Sequence, residues 1–450
     1  MYSPESKNHQ YSFTHDWFVV PKLDENHELI KISKTIDWPA LSDKLAQFYC
    51  LDNGRPAKPS RAKVGLLILK HLYHLSDDNL VDLIKRDLYA QYLCDVSFSE
   101  AVKFIHPTTL VKFRKKIGLI GIKLIEEEVL NSLKRAKLLK NKILVCDTTV
   151  VPSDIAYPTD ISLLEKVRAK AVGYLEKARQ FGADTCRTYK RTARKVFITY
   201  QKIRHHTIQS RRRVQRKILQ FSKRNTAQLK NALEKISQEA GNSLNKAKNK
   251  VKEQFLKQAL SFLTTASNIV EQQKDIYKRL PVKERIVSVH QPHLRPMVRG
   301  KYPVEVEFGP KILLNLKNNF LFLEHLSFSN ISDSQLLGIS LKGYQERFGS
   351  PPAQLAADRG FWSKENYKLA QETYKIDKVA IENKGKSSYL KGKPFRERLR
   401  RLRCKIEAKI SLSKRKYGLD CTRYRIPQGE EIWVRLGLIA MNLKTSVGYG

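Results

Sequence analysis

The apolar positions of the chain change period several times, and each change marks an element. Residues 61–75 (RAKVGLLILKHLYHL) are apolar on most sides of a helical wheel and predict a buried helix. Ser76-Asp77-Asp78 can cap a following helix that carries Leu80, Leu83, Ile84 and Leu88 at helical spacing. His106-Pro107-Thr108-Thr109 opens another, with Leu110 and Phe113 inward and Arg114, Lys115 and Lys116 outward, and residues 119–139 continue helically. Residues 56–140 are therefore expected to form an all-helical domain, either of helix-turn-helix character or a plain bundle used for dimer contacts. Residues 1–55 form a mixed N-terminal segment, set off by Gly54-Arg-Pro-Ala-Lys-Pro59.

At residue 142 the period switches. Lys142–Val151 is short, rich in β-branched residues and bounded by polar positions, which predicts a buried strand. From about 161 to 280 no proline interrupts the chain and the pattern is helical, with 225–275 expected as one long amphipathic helix. Strand patterns return at Arg285–Val289, Val304–Phe308, Lys311–Leu314 and Asn319–Leu323. A helix over 333–348, an apolar run ending at Asp358, a helix over 364–374, a strand over Asp377–Glu382 and a final basic helix bearing Glu407 complete the order. Strands followed by alternating helices and strands predict an α/β fold, a mixed sheet flanked by helices, with a helical insertion at about 161–280.

Composition adds a partner. Lys and Arg number 84 against 44 Asp and Glu, a formal charge of +40. Self-repulsion of this size suits a protein whose usual partner is a polyanion, and nucleic acid is the leading candidate. No apolar stretch of membrane-spanning length appears, so an anionic membrane is the weaker reading. The six cysteines form no C-x-x-C pair, which fits a reduced, cytosolic protein without a zinc ribbon. Between Lys166 and Arg224 there are 19 Lys and Arg but two acids, Glu176 and Asp184. The densest point is Arg211-Arg212-Arg213-Val-Gln-Arg216-Lys217. Such an imbalance leaves little room for pairing within helices, so a DNA-backbone surface is preferred over a merely solvated face.

Three acids stand where an acid is costly. Asp147 lies inside an apolar strand, Asp358 follows Leu355-Ala-Ala at a strand end beside Arg359 and Gly360, and Glu407 sits in a basic helix. On that helix Arg403, Glu407 and Lys414 are one and two turns apart, beside an apolar ridge of Phe395, Leu399, Leu402, Ile406 and Ile410. Taken singly, Asp147 can be a turn cap, Asp358 a loop acid and Glu407 an ion-pair partner of Arg403. Taken together on one sheet, the three can converge, and their mutual repulsion calls for divalent cations. Hard oxygen ligands suit Mg2+ or Mn2+, and two such ions about 4 Å apart can drive an in-line phosphodiester displacement.

These residues resemble the bacterial insertion-sequence transposases of the DDE class. The second aspartate of that family lies in D-R-G-[FY], here Asp358-Arg-Gly-Phe361, and its glutamate in R-x3-E-x6-K, here Arg403, Glu407 and Lys414. Asp147-Thr-Thr matches the first aspartate, while Arg400 stands where many members carry a tyrosine. The Gly54-Arg-Pro segment, the Ser76-Asp77 turn and Thr108-Thr109-Leu-x-x-Phe113-Arg114 resemble the helical domain that precedes such catalytic domains. The resemblance implies a ribonuclease H-like catalytic domain over 141–450, interrupted by the insertion, with Asp147, Asp358 and Glu407 holding two Mg2+ or Mn2+ ions. It further implies cleavage at element ends and strand transfer into target DNA, with terminal inverted repeats and target duplex as partners and a homodimer or higher oligomer as the assembly. Arg403 and Lys414 would contact phosphate or orient Glu407. Arg359, Arg114, Lys384 and Lys386 join the candidate DNA contacts. The alternatives are a ribonuclease H-like nuclease or resolvase without strand transfer, and a transposase-derived DNA-binding protein. His205-His206 and His290-x-x-His293 lack further ligands at zinc spacing, and no P-loop or G-x-S-x-G occurs.

Overall fold

The computed structural model describes residues 23–50, 57–97, 101, 105–184, 186–238, 246–298, 306–381 and 393–448. The chain divides into two compact units, one of Met1–Asp154 with Gly309–Gly450 and one of Ile155–Phe308.

The first unit begins with helices α1 (Glu28–Thr35), α2 (Trp38–Ala46), α3 (Ser60–Leu72), α4 (Asp77–Arg86), α5 (Leu88–Cys94) and α6 (Pro107–Arg135). Their starts follow local chemistry. The side chains of Asp37, Ser76 and Asp87 accept from the backbone N–H groups of Ala40, Asn79 and Ala90, satisfying donors that a helix leaves open. Gly118 interrupts α6 with φ 55° and ψ −159°, a conformation open to glycine at low cost, so the helix is kinked there. Helices α1 and α2, which the apolar pattern of residues 1–55 did not reveal, place Leu29, Ile32, Trp38, Leu41 and Leu45 in the same core as α3 to α6.

The sheet follows. Strands β1 (Ile143–Val150), β4 (Lys311–Lys317), β5 (Phe320–Ser327), β6 (Gln354–Ala357) and β7 (Lys378–Ile381) lie in the order β5-β4-β1-β6-β7. The β1–β4 and β4–β5 pairs are antiparallel, and β1–β6 and β6–β7 are parallel, so the sheet is mixed. Leu144, Cys146, Leu355 and Ala357 face one layer, built on helix α11 (Leu337–Phe348) with Tyr367 of the short helix α12 (Lys364–Lys368) packed against it. Val145, Ala356 and Ala380 face the other, built on α13 (Lys393–Lys416) and α14 (Gly429–Val447).

Helix α14 belongs to both cores. Ile432, Trp433, Leu436, Ile439 and Leu443 pack among the N-terminal helices, whereas Val434, Leu438, Ala440 and Met441 pack on the sheet. The Trp433 indole donates to the Gly418 carbonyl at 2.5 Å. The Asn442 amide accepts from Leu321 N–H and donates to Leu321 C=O, at 3.0 and 2.9 Å, which satisfies both outward groups of an edge-strand residue.

The second unit contains α7 (Asp160–Ala178), α8 (Lys190–Gln201), α9 (Ile208–Gln238) and α10 (Lys246–Tyr277). The single helix expected over 225–275 is two. Leu229, Leu233 and Ile236 of α9 and Phe255, Ala259 and Phe262 of α10 share one core, so the two pack against each other. Arg285–Val289, expected as a strand, has no regular structure. Of the expected strand Val304–Phe308, β3 (Val306–Phe308) pairs with β2 (Pro296–Val298) in a separate ribbon and not with the main sheet. No helix among the described residues is long and apolar enough to cross a membrane.

Leu438, 1 % exposed, sits in the helix that both cores share. Leu438→Ala is expected to cost about 2–5 kcal/mol, read as a lower urea midpoint with an unchanged m-value.

Candidate active site

The strand ladder brings two of the acids side by side. Strands β1 and β6 pair in parallel through Cys146↔Ala357, so Asp147 and Asp358 are the next residues along each strand. Alternation along each strand gives Asp147 the face of Val145 and Asp358 the face of Ala356, which is the face covered by α13. That helix seats through Ile406 and Ile410, both buried, with Leu402 packed beside them. Phe395 and Leu399, the other members of the expected ridge, have side chains outside the described residues.

The next turns of α13 present Arg403, Glu407 and Lys414. Arg403 donates to Asp358 Oδ1, and the same nitrogen lies 3.8 Å from Glu407 Oε1. One guanidinium thus bridges two of the three acids. Lys414 Nζ donates to the Val150 carbonyl at 2.8 Å, three residues beyond Asp147. Arg359 is exposed beside Asp358.

Asp147 reports the electrostatics. Burial pushes its carboxyl up to about 6, and the charges of Asp358, Asp333 and Glu407 push it the same way, against a backbone hydrogen bond from Thr148 N–H at 2.7 Å. The three acids expected from the sequence are therefore close enough to act on one another. Among the described residues no three His, Cys, Asp or Glu side chains stand together as a ready-made metal site. The donor set is nevertheless of the right kind for a hard divalent cation, being carboxylate oxygens alone whose repulsion a cation would relieve.

Asp333 was not singled out in the sequence beyond opening a helix. It lies in a 3-10 turn, Asp333–Leu336, that leads into α11. Its Oδ1 accepts from the Thr148 hydroxyl at 2.8 Å and pairs with Lys311 Nζ at 2.6 Å. The signal available was weak, one acid among serines after a strand.

Other sequence expectations land elsewhere. Arg114 does not point outward. It is 3 % exposed and pairs with Asp77 through both terminal nitrogens, at 3.1 and 2.5 Å, over the Tyr424 ring. Asp77 also takes Lys70 at 2.9 Å, and these cations hold its carboxyl below the usual carboxylate range against the opposing effect of burial. Within the second unit, Arg211 and Arg213 are exposed, while Arg212 is half-buried against Tyr277. Lys384 and Lys386 lie outside the described residues. His71 is buried with its Nδ1 3.1 Å from the Tyr417 carbonyl, and burial pushes it down to about 3, so it is neutral at physiological pH.

Comparison with known proteins gives the class. Residues 310–443 match the family model described as "Transposase DDE domain", and residues 19–116 match "Transposase domain (DUF772)". Both matched segments are transposase domains, and together they identify the chain as a relative of insertion-sequence DDE transposases. A curated relative, "Uncharacterized protein ORF8 in nfe locus" of Rhizobium meliloti, is 29 % identical over 190 residues, 41 % of this chain and 88 % of that protein. No solved structure matches. The family implies DNA as partner.

A carboxyl raised from near 4 to about 6 keeps a proton in the folded chain that the unfolded chain has released. Stability therefore falls as pH rises through that window. With divalent ions chelated, Asp147→Asn is expected to be more stable than wild type by roughly 1–3 kcal/mol at pH 7, with the gap closing below about pH 4. Urea unfolding at a series of pH values checks this, and a gap independent of pH contradicts it.

Proposed function

We propose that the chain is a metal-dependent DNA transposase whose ribonuclease H-like sheet carries Asp147, Asp358 and Glu407 as ligands of two Mg2+ or Mn2+ ions. The observation that supports this most is the placing of Asp147, inside β1, beside Asp358, just past the end of the parallel strand β6, under the helix that carries Glu407. The strand order β5-β4-β1-β6-β7, with one antiparallel and one parallel neighbour on β1, supports the ribonuclease H-like reading.

When bound, the ions would activate the attacking oxygen and stabilise the leaving one in an in-line displacement at phosphorus. Water is the first attacking group at the element end, and the freed 3′-OH is the second, at target DNA. The chain's own part is geometric and electrostatic. The strand ladder brings the two aspartates to neighbouring positions, one residue past its last parallel pair, and Ile406 and Ile410 seat the helix that carries Glu407. Arg403 and Lys414 supply cations on either side of Glu407, suited to phosphate oxygens as charge-assisted donors. Arg359 adds an exposed cation at the strand end. The substrates on this reading are terminal inverted repeats and target duplex, handled by a homodimer or higher oligomer.

The second unit supports a backbone-binding role. No acid occurs between Asp184 and Glu234. Helices α8 and α9 enclose a cleft of about 620 Å3 whose lining includes Lys195, Arg213 and Lys217 around Tyr200, Val196 and Val214. A surface of one sign, built on helices, fits phosphate contacts that do not read sequence.

Asp147→Asn and Glu407→Gln should each abolish Mg2+-dependent end cleavage, by at least about 100-fold, and leave DNA binding within a few-fold in gel-shift titrations. Wild-type cleavage by either variant sinks the assignment. Replacing Arg213 and Lys217 together with Ala should weaken binding to unrelated duplexes equally and lower the salt slope by about 2. An unchanged slope in salt titrations would show these side chains to be solvated only.

A further inference from the structure

The backbone pairing that aligns β1 with β6 stops one residue short of the acids. Its last register pair is Cys146↔Ala357, and past it the chain leaves β6 into a 3-10 turn, Arg359–Phe361. Strand β1 continues to Val150, but paired with β4 only. Nothing in the parallel ladder therefore fixes Asp147 relative to Asp358. A misplacement of about 1 Å at reacting groups can cost on the order of 100-fold in rate, so this gap needs another tie.

Asp333 is placed to be that tie, from the sheet face opposite α13. Thr148 follows Asp147 and projects to the other face. Its hydroxyl donates to Asp333 Oδ1 at 2.8 Å. The second oxygen of Asp333 lies against Gly360, two residues after Asp358. A Cβ on Gly360 would come within 2.5 Å of Oδ2, so glycine is what lets the turn approach the carboxylate this closely. Lys311 fixes the carboxylate itself. It opens β4, is the register partner of Val150, pairs with Asp333 Oδ1 at 2.6 Å and donates to the Ile331 carbonyl at 2.7 Å. With side-chain exposures of 15 % for Lys311 and 25 % for Asp333, the pair is partly shielded from water. One carboxylate thus touches the residue after the first acid, the turn after the second, and a cation anchored in the sheet.

We propose that Asp333 is a positioning residue that, with Thr148 and Lys311, holds β1 at Thr148 and the turn after β6 at the spacing the Asp147–Asp358 pair requires. It touches no reacting atom and acts through the backbone on either side. The proposal rests on the reading of Asp147 and Asp358 as the reacting site, and it assigns the rear face of that site to a role of its own.

The test uses the full chain and a duplex carrying one element end, with cleavage rate, DNA affinity and thermal midpoint measured for each variant. Thr148→Val removes the hydroxyl but keeps the shape and the Lys311–Asp333 pair. It should slow cleavage by about 10–100-fold, with DNA affinity within a few-fold and the midpoint nearly unchanged. Thr148→Ser, which restores the donor, should recover most of the rate. Asp333→Ala should slow cleavage comparably, and the double variant Thr148→Val with Asp333→Ala should be no slower than the worse single, since both break one linkage. A wild-type rate in Thr148→Val, beside an inactive Asp147→Asn, overturns the proposal and leaves the assigned site intact. Independent multiplication of the two single effects also overturns it. Wild-type cleavage by Asp147→Asn instead removes the reading on which the proposal rests.

Discussion

Asp147, inside β1, and Asp358, just past the end of the parallel strand β6, repel each other, and the arrangement around them serves to tolerate that repulsion. Asp147 carries the cost openly, held near 6 by burial and by three surrounding acids. Asp358 is matched by Arg403, which lies beside Glu407 as well. The guanidinium is one positive charge between two acids while Asp147 has none in contact among the described residues, so the negative charge there is only partly compensated. On the proposed reading, a site left in that state would take a further cation, whether an ion held by oxygen ligands or a donor group arriving with the substrate. Arg403 can leave Asp358 for a phosphate without stranding a buried charge, because Asp358 and Glu407 are 45 % and 58 % exposed.

That geometry rests on packing well away from the acids. Helix α13 presents Arg403, Glu407 and Lys414 at fixed heights because Ile406 and Ile410 are sunk into the sheet core. Helix α14 presses the same core from the sheet side and the N-terminal helical core from the other, so the two layers of the first unit share one element. Its buried polar contacts, Trp433 to Gly418 and Asn442 to Leu321, set its rotation and depth. A fault in this helix disturbs two cores at once, whereas a fault in α4 or α5 disturbs one.

Much of this was legible from residue patterns. Strand β1 was readable because β-branched residues crowd between polar ends, and the acids stood out because Asp147 interrupts an apolar run. The α13 face was readable because 403, 407 and 414 fall on one side of a helix. What failed had physical reasons. Helices α1 and α2 are short and begin amid polar residues, and their apolar positions gain meaning only against α3 to α6. The strand expected at Arg285–Val289 has the right composition but no ladder partner among the described residues. Between the end of α9 at Gln238 and the start of α10 at Lys246, the sequence Glu-Ala-Gly-Asn-Ser-Leu-Asn carries one glycine and no proline, so the pattern gives little sign of a break. Arg114 was assigned outward by helical phase, yet Asp77 draws it inside, and that pairing depends on tertiary neighbours 37 residues apart in sequence. Asp333 was missed for a similar reason, since its partners Thr148 and Lys311 come from two other strands.

The most direct measurement is anomalous scattering from crystals of the chain grown with a DNA end and Mn2+. The account predicts peaks about 2.1 Å from carboxylate oxygens of Asp147 and Asp358, with Glu407 completing the set and Arg403 moved from Asp358 to a phosphate. Peaks elsewhere, or an Arg403–Asp358 pair that persists with metal and DNA bound, would contradict it.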